Sequence, residues 1–209
     1  MLFIVLSCCL IGLVAGLLAG LFGIGGGLII VPGLVMVFSA QHFSESSSLI
    51  QAVATSLATI VLTALSSVYA HHRLGTVLWF KVWRLAPMIM LGAGVGAVVA
   101  EQLPVIWLRL VIVVFLVYAG LQLVLSVKVQ PDVKQQSVWL DGLAASVIGL
   151  LSAIVGIGGG TLTVPYLVYG GFEMRQAVAV SSACGLPIAI AGTVSYALLG
   201  LKRPEFTRL

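Results

Sequence analysis

Apolar residues run in blocks, near 2–39, 48–70, 85–102, 105–126, 138–168 and 177–200, and polar residues collect in the joints between them. Crossing a bilayer core takes about 20 apolar residues in helical form, so each block predicts a membrane-spanning helix. The first block is too long to be one straight span, because its roughly 37 residues would reach about 55 Å, nearly twice the hydrocarbon thickness. The fifth, with about 30 residues, has a similar excess. Both must be broken somewhere.

The breaks are written in glycine. Gly23, Gly25, Gly26 and Gly27 precede Val31-Pro32, and Gly156, Gly158, Gly159 and Gly160 precede Val164-Pro165 at a constant offset of 133, within a match from Gly16–Pro32 to Gly149–Pro165. Further on, Gln51-Ala52-Val53-Ala54-Thr55-Ser56 is echoed by Gln176-Ala177-Val178-Ala179-Val180-Ser181 at an offset of 125, so the intervening loop is eight residues shorter in the second copy. Such duplication is a common construction of secondary transporters. The expected fold is an all-α integral membrane protein made of two tandem repeats of a four-span unit, with a glycine-broken helix in each. The first repeat covers residues 1–126, a cytoplasmic linker 127–137, and the second repeat, about two spans short, 138–209. A naturally short chain and a truncated one both fit these letters.

Lys and Arg are retained on the cytoplasmic side of a membrane. One crossing per block places Arg73, Lys81, Arg84, Lys128, Lys134, Lys202, Arg203 and Arg208 inside, and Arg109 and Arg175 outside. A re-entrant hairpin at 138–168 would spoil that asymmetry. The expectation is therefore a broken helix that still crosses, a cytoplasmic N-terminus, and parallel repeats related by an axis along the membrane normal.

Consecutive glycines let the backbone leave the helix and turn its N–H groups toward a cavity. In lipid such groups survive only where protein, water or a ligand takes their hydrogen bonds. The half-helices beginning near Gly26 or Gly27 and near Gly159 or Gly160 would aim their positive ends at the membrane middle, where an anion is the natural ligand. Thr161 opens the second half-helix, and Thr55, Ser56, Ser181 and Ser182 follow the repeated stem and offer donors to the same ligand; bonding to a neighbouring helix is the alternative for these hydroxyls. Pro32 and Pro165 each leave a carbonyl one turn earlier unpaired and so support the break. Gly92, Gly94 and Gly96 suit close helix packing instead. Glu101, Arg109 and Asp141 lie near span ends, where snorkelling or a helix-terminal charge explains them.

Composition narrows the partners. At 61 % hydrophobic and 8 % charged, the chain is too apolar for a water-soluble globule, whose charged share is about 25 %. The lipid bilayer is its solvent, and its excess of basic residues speaks for topology rather than for nucleic acid. Cys8, Cys9 and Cys184 sit inside apolar blocks without metal-ligand spacing, and the adjacent His71 and His72 have no third ligand, so no metal and no cofactor is expected. The N-terminus lacks a basic region and its apolar run continues past residue 30, which suits a retained span rather than a cleaved signal. No paired carboxylates and no Ser-His-Asp set appear within the spans, which argues against an enzyme.

The doubled Gly-Ile-Gly-Gly-Gly runs before Val31-Pro32 and Val164-Pro165 resemble the sulfite exporter TauE/SafE family of membrane permeases. Ala54-Thr55-Ser56-Leu57, His72-Arg73-Leu74-Gly75-Thr76-Val77 with Trp79, and Leu103-Pro104 followed by Leu108-Arg109 add to the likeness, which covers nearly the whole chain. The resemblance implies a carrier for sulfite, a sulfonate or a related sulfur oxyanion, commonly outward, in a bacterial or archaeal inner membrane. Coupling to a proton or another ion and a homo-oligomeric assembly are compatible with it. The competing reading is a membrane scaffold or assembly subunit that uses the glycines for helix packing alone.

Overall fold

A computed structural model describes residues 9–17, 26–39, 45–125 and 138–200. The helical stretches are α1 (9–17), α2 (Gly27–Ser39), α3 (Glu45–Arg73), α4 (Trp79–Gln102), α5 (Val105–Leu125), α6 (Val138–Val155), α7 (Gly160–Tyr169) and α8 (Met174–Gly200). The N-terminal residues 1–8, the linker 127–137 and the tail 201–209 lie outside the described residues. Among the described residues five helices, α3, α4, α5, α6 and α8, are long and apolar enough to cross a membrane. With 13 and 10 residues, α2 and α7 would cover only about two thirds and about half of a hydrocarbon core.

The core is α4 packed against α6, with α8 lying mainly along α4 and α3 lying on α8. Small residues allow the closest approach. A Cβ on Gly92 would collide with the Ser146 carbonyl, one on Gly96 with the Leu150 carbonyl, and one on Gly149 with the Ile89 carbonyl. In lipid, where apolar burial drives helices together only weakly, this backbone proximity supplies the contact energy. The α4 helix begins six residues before the apolar block at 85, because Lys81 and Arg84, which interrupt the apolar pattern, are paired with Asp141 of α6. The joint before it is pinned by Trp79 Nε1 donating to His72 Nδ1 at 3.2 Å and by the Thr76 hydroxyl donating to the His71 carbonyl at 3.1 Å.

Helix directions follow from the contacts. Lys81 meets Asp141, Gly92 meets Ser146 and Gly96 meets Leu150, so α4 and α6 run parallel. At the same end the Phe172 ring, just before α8, lies 5.3 Å from Lys81 Nζ, while Gly94 faces Ser195 farther along, so α4 and α8 are also parallel. The short joint 74–78 puts the end of α3 at that face too, and Leu57 of α3 meets Gly192 deep in α8. Helices α3 and α8, which carry the repeated Gln-Ala-Val-Ala stem, are therefore antiparallel, and the expected parallel relation is corrected.

The fifth apolar block also departs from expectation. It does not cross as one broken helix, because α7 turns back toward the face where α6 begins. The Tyr166 hydroxyl donates to Asp141 Oδ1 at 2.6 Å, which joins the last turn of α7 to the first turn of α6. Two glycines with positive φ, Gly156 at 80° and Gly159 at 78°, reverse the chain in a conformation closed to most L-residues. Arg175 consequently shares a face with Arg73 and Lys81 instead of lying opposite them. The basic-residue count argues against a re-entrant hairpin because it assigns one crossing to every apolar block, and that expectation is corrected.

Leu74 and Met174 are both exposed at this face, and Gln102 is exposed at the opposite one. In a background free of native cysteine, Leu74→Cys and Met174→Cys are expected to react with a membrane-impermeant maleimide from the same side and Gln102→Cys from the other. Reaction of the first two from opposite sides contradicts the re-entrant pair.

Candidate functional site

Beyond the end of α6 the chain is unwound over four residues, 156–159. Gly156 N–H and Ile157 N–H both donate to the Ser152 carbonyl at 2.9 Å, the chain reverses, and Gly159 caps α7 by accepting from Leu162 N–H at 3.2 Å and Thr163 N–H at 2.8 Å. The first copy begins α2 in the same way: the Gly26 carbonyl accepts from Ile29 N–H at 3.1 Å and Ile30 N–H at 3.0 Å. Each acceptor and donor in one copy stands 133 positions from its counterpart in the other. Gly23 and Gly25 lie outside the described residues. Pro32 and Pro165 fall inside α2 and α7, one turn beyond the breaks, where each frees the carbonyl four residues earlier.

The two breaks touch each other. A Cβ on Gly27 would stand 2.5 Å from the Gly156 carbonyl oxygen and 2.8 Å from Ile157 Cα, so only glycine lets these backbones meet. Val31 of α2 and Val53 of α3 close over Gly156, Ile60 lies beside Gly158, and Gly185 of α8 lies against the Gly158 carbonyl. Both half-helices start at this junction, so α2 and α7 direct their N-terminal N–H groups into the protein interior.

Side chains satisfy part of the unwound backbone. The Ser56 hydroxyl donates to the Gly156 carbonyl at 2.8 Å, and the Tyr196 hydroxyl donates to the Ala153 carbonyl at 3.1 Å, both in buried surroundings. Ser56 thus holds the break in shape. Thr55, beside it in sequence, is exposed and does not join the junction. Ser181 is buried and Ser182 half-buried on α8, and Thr161 is buried in the first turn of α7. Ser181 shares a helical face with Gly185 and Ile188, and its hydroxyl has no hydrogen-bond partner among the described residues.

Two more hydroxyls with no partner among the described residues, Ser152 Oγ and Thr163 Oγ1, lie 3.7 Å and 3.4 Å from the point where a Cβ on Gly159 would stand. An unmade hydrogen bond at a buried polar group costs about 1–3 kcal/mol, which makes a triple occurrence around one break notable as chemistry. The sequence pattern did not single out Ser152 or Thr163. Comparing the aligned copies residue by residue was the available signal, since Ala19 and Ile30 occupy the matched positions.

The outer end of the re-entrant pair is tied by charge. Asp141 is fully buried; its Oδ2 accepts from Lys81 Nζ at 2.8 Å and lies 2.8 Å from Arg84 Nε, an ion pair without hydrogen-bond alignment, while Oδ1 accepts from Tyr166. The carboxylate also faces the positive N-terminal end of α6. Asp141 is thus a three-helix tie rather than a snorkelling or purely helix-terminal charge. No group of three His, Cys, Asp or Glu side chains suited to a metal occurs among the described residues.

Comparison with known proteins agrees with the doubled glycine motif. The family profile described as "Sulfite exporter TauE/SafE" matches residues 8–206. The chain is 38 % identical to a "Probable membrane transporter protein" of Haemophilus influenzae over 201 residues, covering 96 % of this chain and 76 % of that protein. A protein of Bacillus subtilis with the same description is 30 % identical, with 91 % and 77 % covered, and one of Methanocaldococcus jannaschii is 25 % identical, with 90 % and 70 % covered. No solved structure matches the chain significantly.

Removing one partner from a buried ion pair strands the other charge, at a cost of about 3–5 kcal/mol. Asp141→Ala is therefore expected to lower the thermal unfolding temperature in detergent sharply, and adding Lys81→Met is expected to recover part of the loss. A single substitution without effect would show that the tie contributes nothing.

Proposed function

The chain belongs to the sulfite exporter TauE/SafE family and is a multi-pass membrane transporter, and from this premise we propose that it carries a small sulfur-containing oxyanion such as sulfite or a sulfonate out of the cell across the inner membrane. The observation that carries the reading is the contact of the two breaks. Gly27 abuts Gly156 and Ile157, so the starts of α2 and α7 converge inside the protein. Their N–H groups and helix dipoles favour an anion, which would use the donors that the unwinding releases. Gly23, Gly25, Gly26, Gly27, Gly156, Gly158, Gly159 and Gly160 supply the backbone of this site in the proposal, with Thr161, Ser181 and Ser182 as hydroxyl donors.

The antiparallel course of α3 and α8 supports a refinement of the repeat. The two copies are taken to be inverted, related by a pseudo-two-fold axis in the membrane plane, an arrangement in which substrate binds where the repeats meet. The face carrying Arg73, Lys81, Arg84 and Arg175 is taken as cytoplasmic, in keeping with retention of basic residues there. The scaffold alternative explains small residues at α4 and α6 but gives no reason for two positive-φ glycines and unpartnered hydroxyls at a junction inside the protein.

Flux of sulfite, a simple sulfonate, thiosulfate and chloride in proteoliposomes tests the reading. Saturable transport of one sulfur oxyanion is expected, with Gly159→Ala reducing it at least tenfold, since a Cβ there would stand 2.5 Å from Ile188 Cδ1 at a φ of 78°. Ser181→Ala, which removes a hydroxyl with no hydrogen-bond partner among the described residues, is expected to fold normally and to weaken half-saturation. Absence of flux for every anion, from protein that unfolds cooperatively, favours the scaffold.

A further inference from the structure

Several helical glycines of this protein sit where two backbones touch. A Cβ on Gly92, Gly96 or Gly149 would fall on a main-chain carbonyl across the α4–α6 seam, one on Gly27 on the Gly156 carbonyl, and one on Gly185 on the Gly158 carbonyl. Gly12 and Gly16 of α1 have no such neighbour. Both are exposed, and nothing among the described residues stands within 4 Å of a Cβ at either position. Alanine would fit at both and is the better helix former, so packing within the chain gives no reason for glycine there. Another side of α1 makes its contacts with the rest of the chain: Ala15 is buried, and Ile11 lies against Gly33 of α2.

The repeat shows what such a face does. At the offset of 133, Gly12 and Gly16 match Ala145 and Gly149, and Leu17 matches Leu150. In the second copy these positions form the seam: Ala145 is fully buried, Gly149 lies on the Ile89 carbonyl, and the Leu150 carbonyl lies on Gly96 of α4. On α1 the same face is bare, with Leu13 71 % and Leu17 60 % exposed. A face of this kind takes a membrane helix that itself presents small residues. The Gly92–Gly96 pair of α4 is already engaged with α6, and among the described residues Gly12–Gly16 is the one pair of helical glycines four residues apart that stays open. The helix that fits is therefore α1 of a second copy. Two copies inserted the same way in one membrane hold their α1 helices parallel, so a two-fold axis along the membrane normal brings the same patch together from both sides.

We propose that the chain forms a symmetric dimer through α1, with Gly12 and Gly16 of one copy against those of the other and Leu13 and Leu17 packed across the contact. The Gly12-Leu13-Val14-Ala15-Gly16 stretch is the G-x-x-x-G pattern that lets two membrane helices cross with their backbones close. Cys9 is exposed and lies three residues before Gly12, on the same side of the helix, so the dimer brings it near the partner's Cys9. The contact lies one helix away from the junction of the two breaks, because α1 rests on α2 through Ile11 and Gly33, and α2 starts at that junction. A partner copy thus braces the first half-helix from behind. The dimer stands or falls independently of the anion reading.

Oxidation of the full chain by copper phenanthroline in liposomes, with Cys8→Ser as the background, is the test. A disulfide-linked dimer is expected, abolished by Cys9→Ser and formed in the same proportion when the lipid content is raised tenfold. Gly12→Leu and Gly16→Leu place their side chains in open space of the single chain, so both variants are expected to unfold cooperatively while the linked fraction falls at least tenfold. Gly120→Leu, in open space on α5, is expected to leave the linked fraction unchanged and guards against a general effect of added bulk. A linked fraction that is absent from the background protein, or that falls in proportion to added lipid, is the result for an α1 face covered by lipid alone and overturns the proposal. So does a dimer that survives both Gly12→Leu and Gly16→Leu.

Discussion

A main-chain N–H or C=O in lipid has no water to bond, and this protein interrupts a helix between α6 and α7 at a buried junction, against which the start of α2 packs, where that penalty is large. The rest of the architecture can be derived from how those groups are satisfied. Ser56 and Tyr196 reach across from α3 and α8 to take the carbonyls of Gly156 and Ala153, while Gly159 and Gly26 accept two N–H groups each and restart the helices. Glycine is required where the backbones meet, because the Gly27 position leaves no room for a Cβ between itself and the Gly156 carbonyl. What is left over, the first N–H groups of two half-helices and a set of buried hydroxyls, is the chemistry of the proposed site.

Holding the junction in place is the task of the remaining helices. The tight α4–α6 seam sets one wall, and α8 packs against α4. The Asp141 cluster fastens the far end of α7, so that the re-entrant pair is anchored at its opening by charge and at its tip by hydrogen bonds. A buried ion pair is an uncertain source of stability, but it is a strict specifier of geometry, since Lys81 and Arg84 from α4 and Tyr166 from α7 must converge on one carboxylate. That requirement links the direction of α7 to the placement of α4 and α6.

Much of this was legible in the letters, for reasons tied to particular residues. The spans follow from apolar length, and the break of the fifth block follows from its excess length together with Gly156–Gly160, whereas Gly23 and Gly25 of the first block lie outside the described residues. The direction of α7 was not legible. It depends on Tyr166 finding Asp141, a contact between residues 25 apart that no periodicity encodes. The same blind spot inverted the expected relation of the copies and displaced Arg175. Thr55 and Ser56 looked alike as adjacent hydroxyls, yet one step along α3 turns the first outward and buries the second against Gly156. Ser152 and Thr163 are ordinary letters in a membrane span, and only burial without a partner marks them.

Backbone amide hydrogen exchange in the presence and absence of sulfite addresses the central claim, that the two breaks form one anion site, because it reads the N–H groups assigned to the ligand. The account predicts slowed exchange in peptides covering both residues 26–30 and 156–163, with little change in α4 or α5. Protection of one break without the other, or of neither while sulfite still binds, would contradict it.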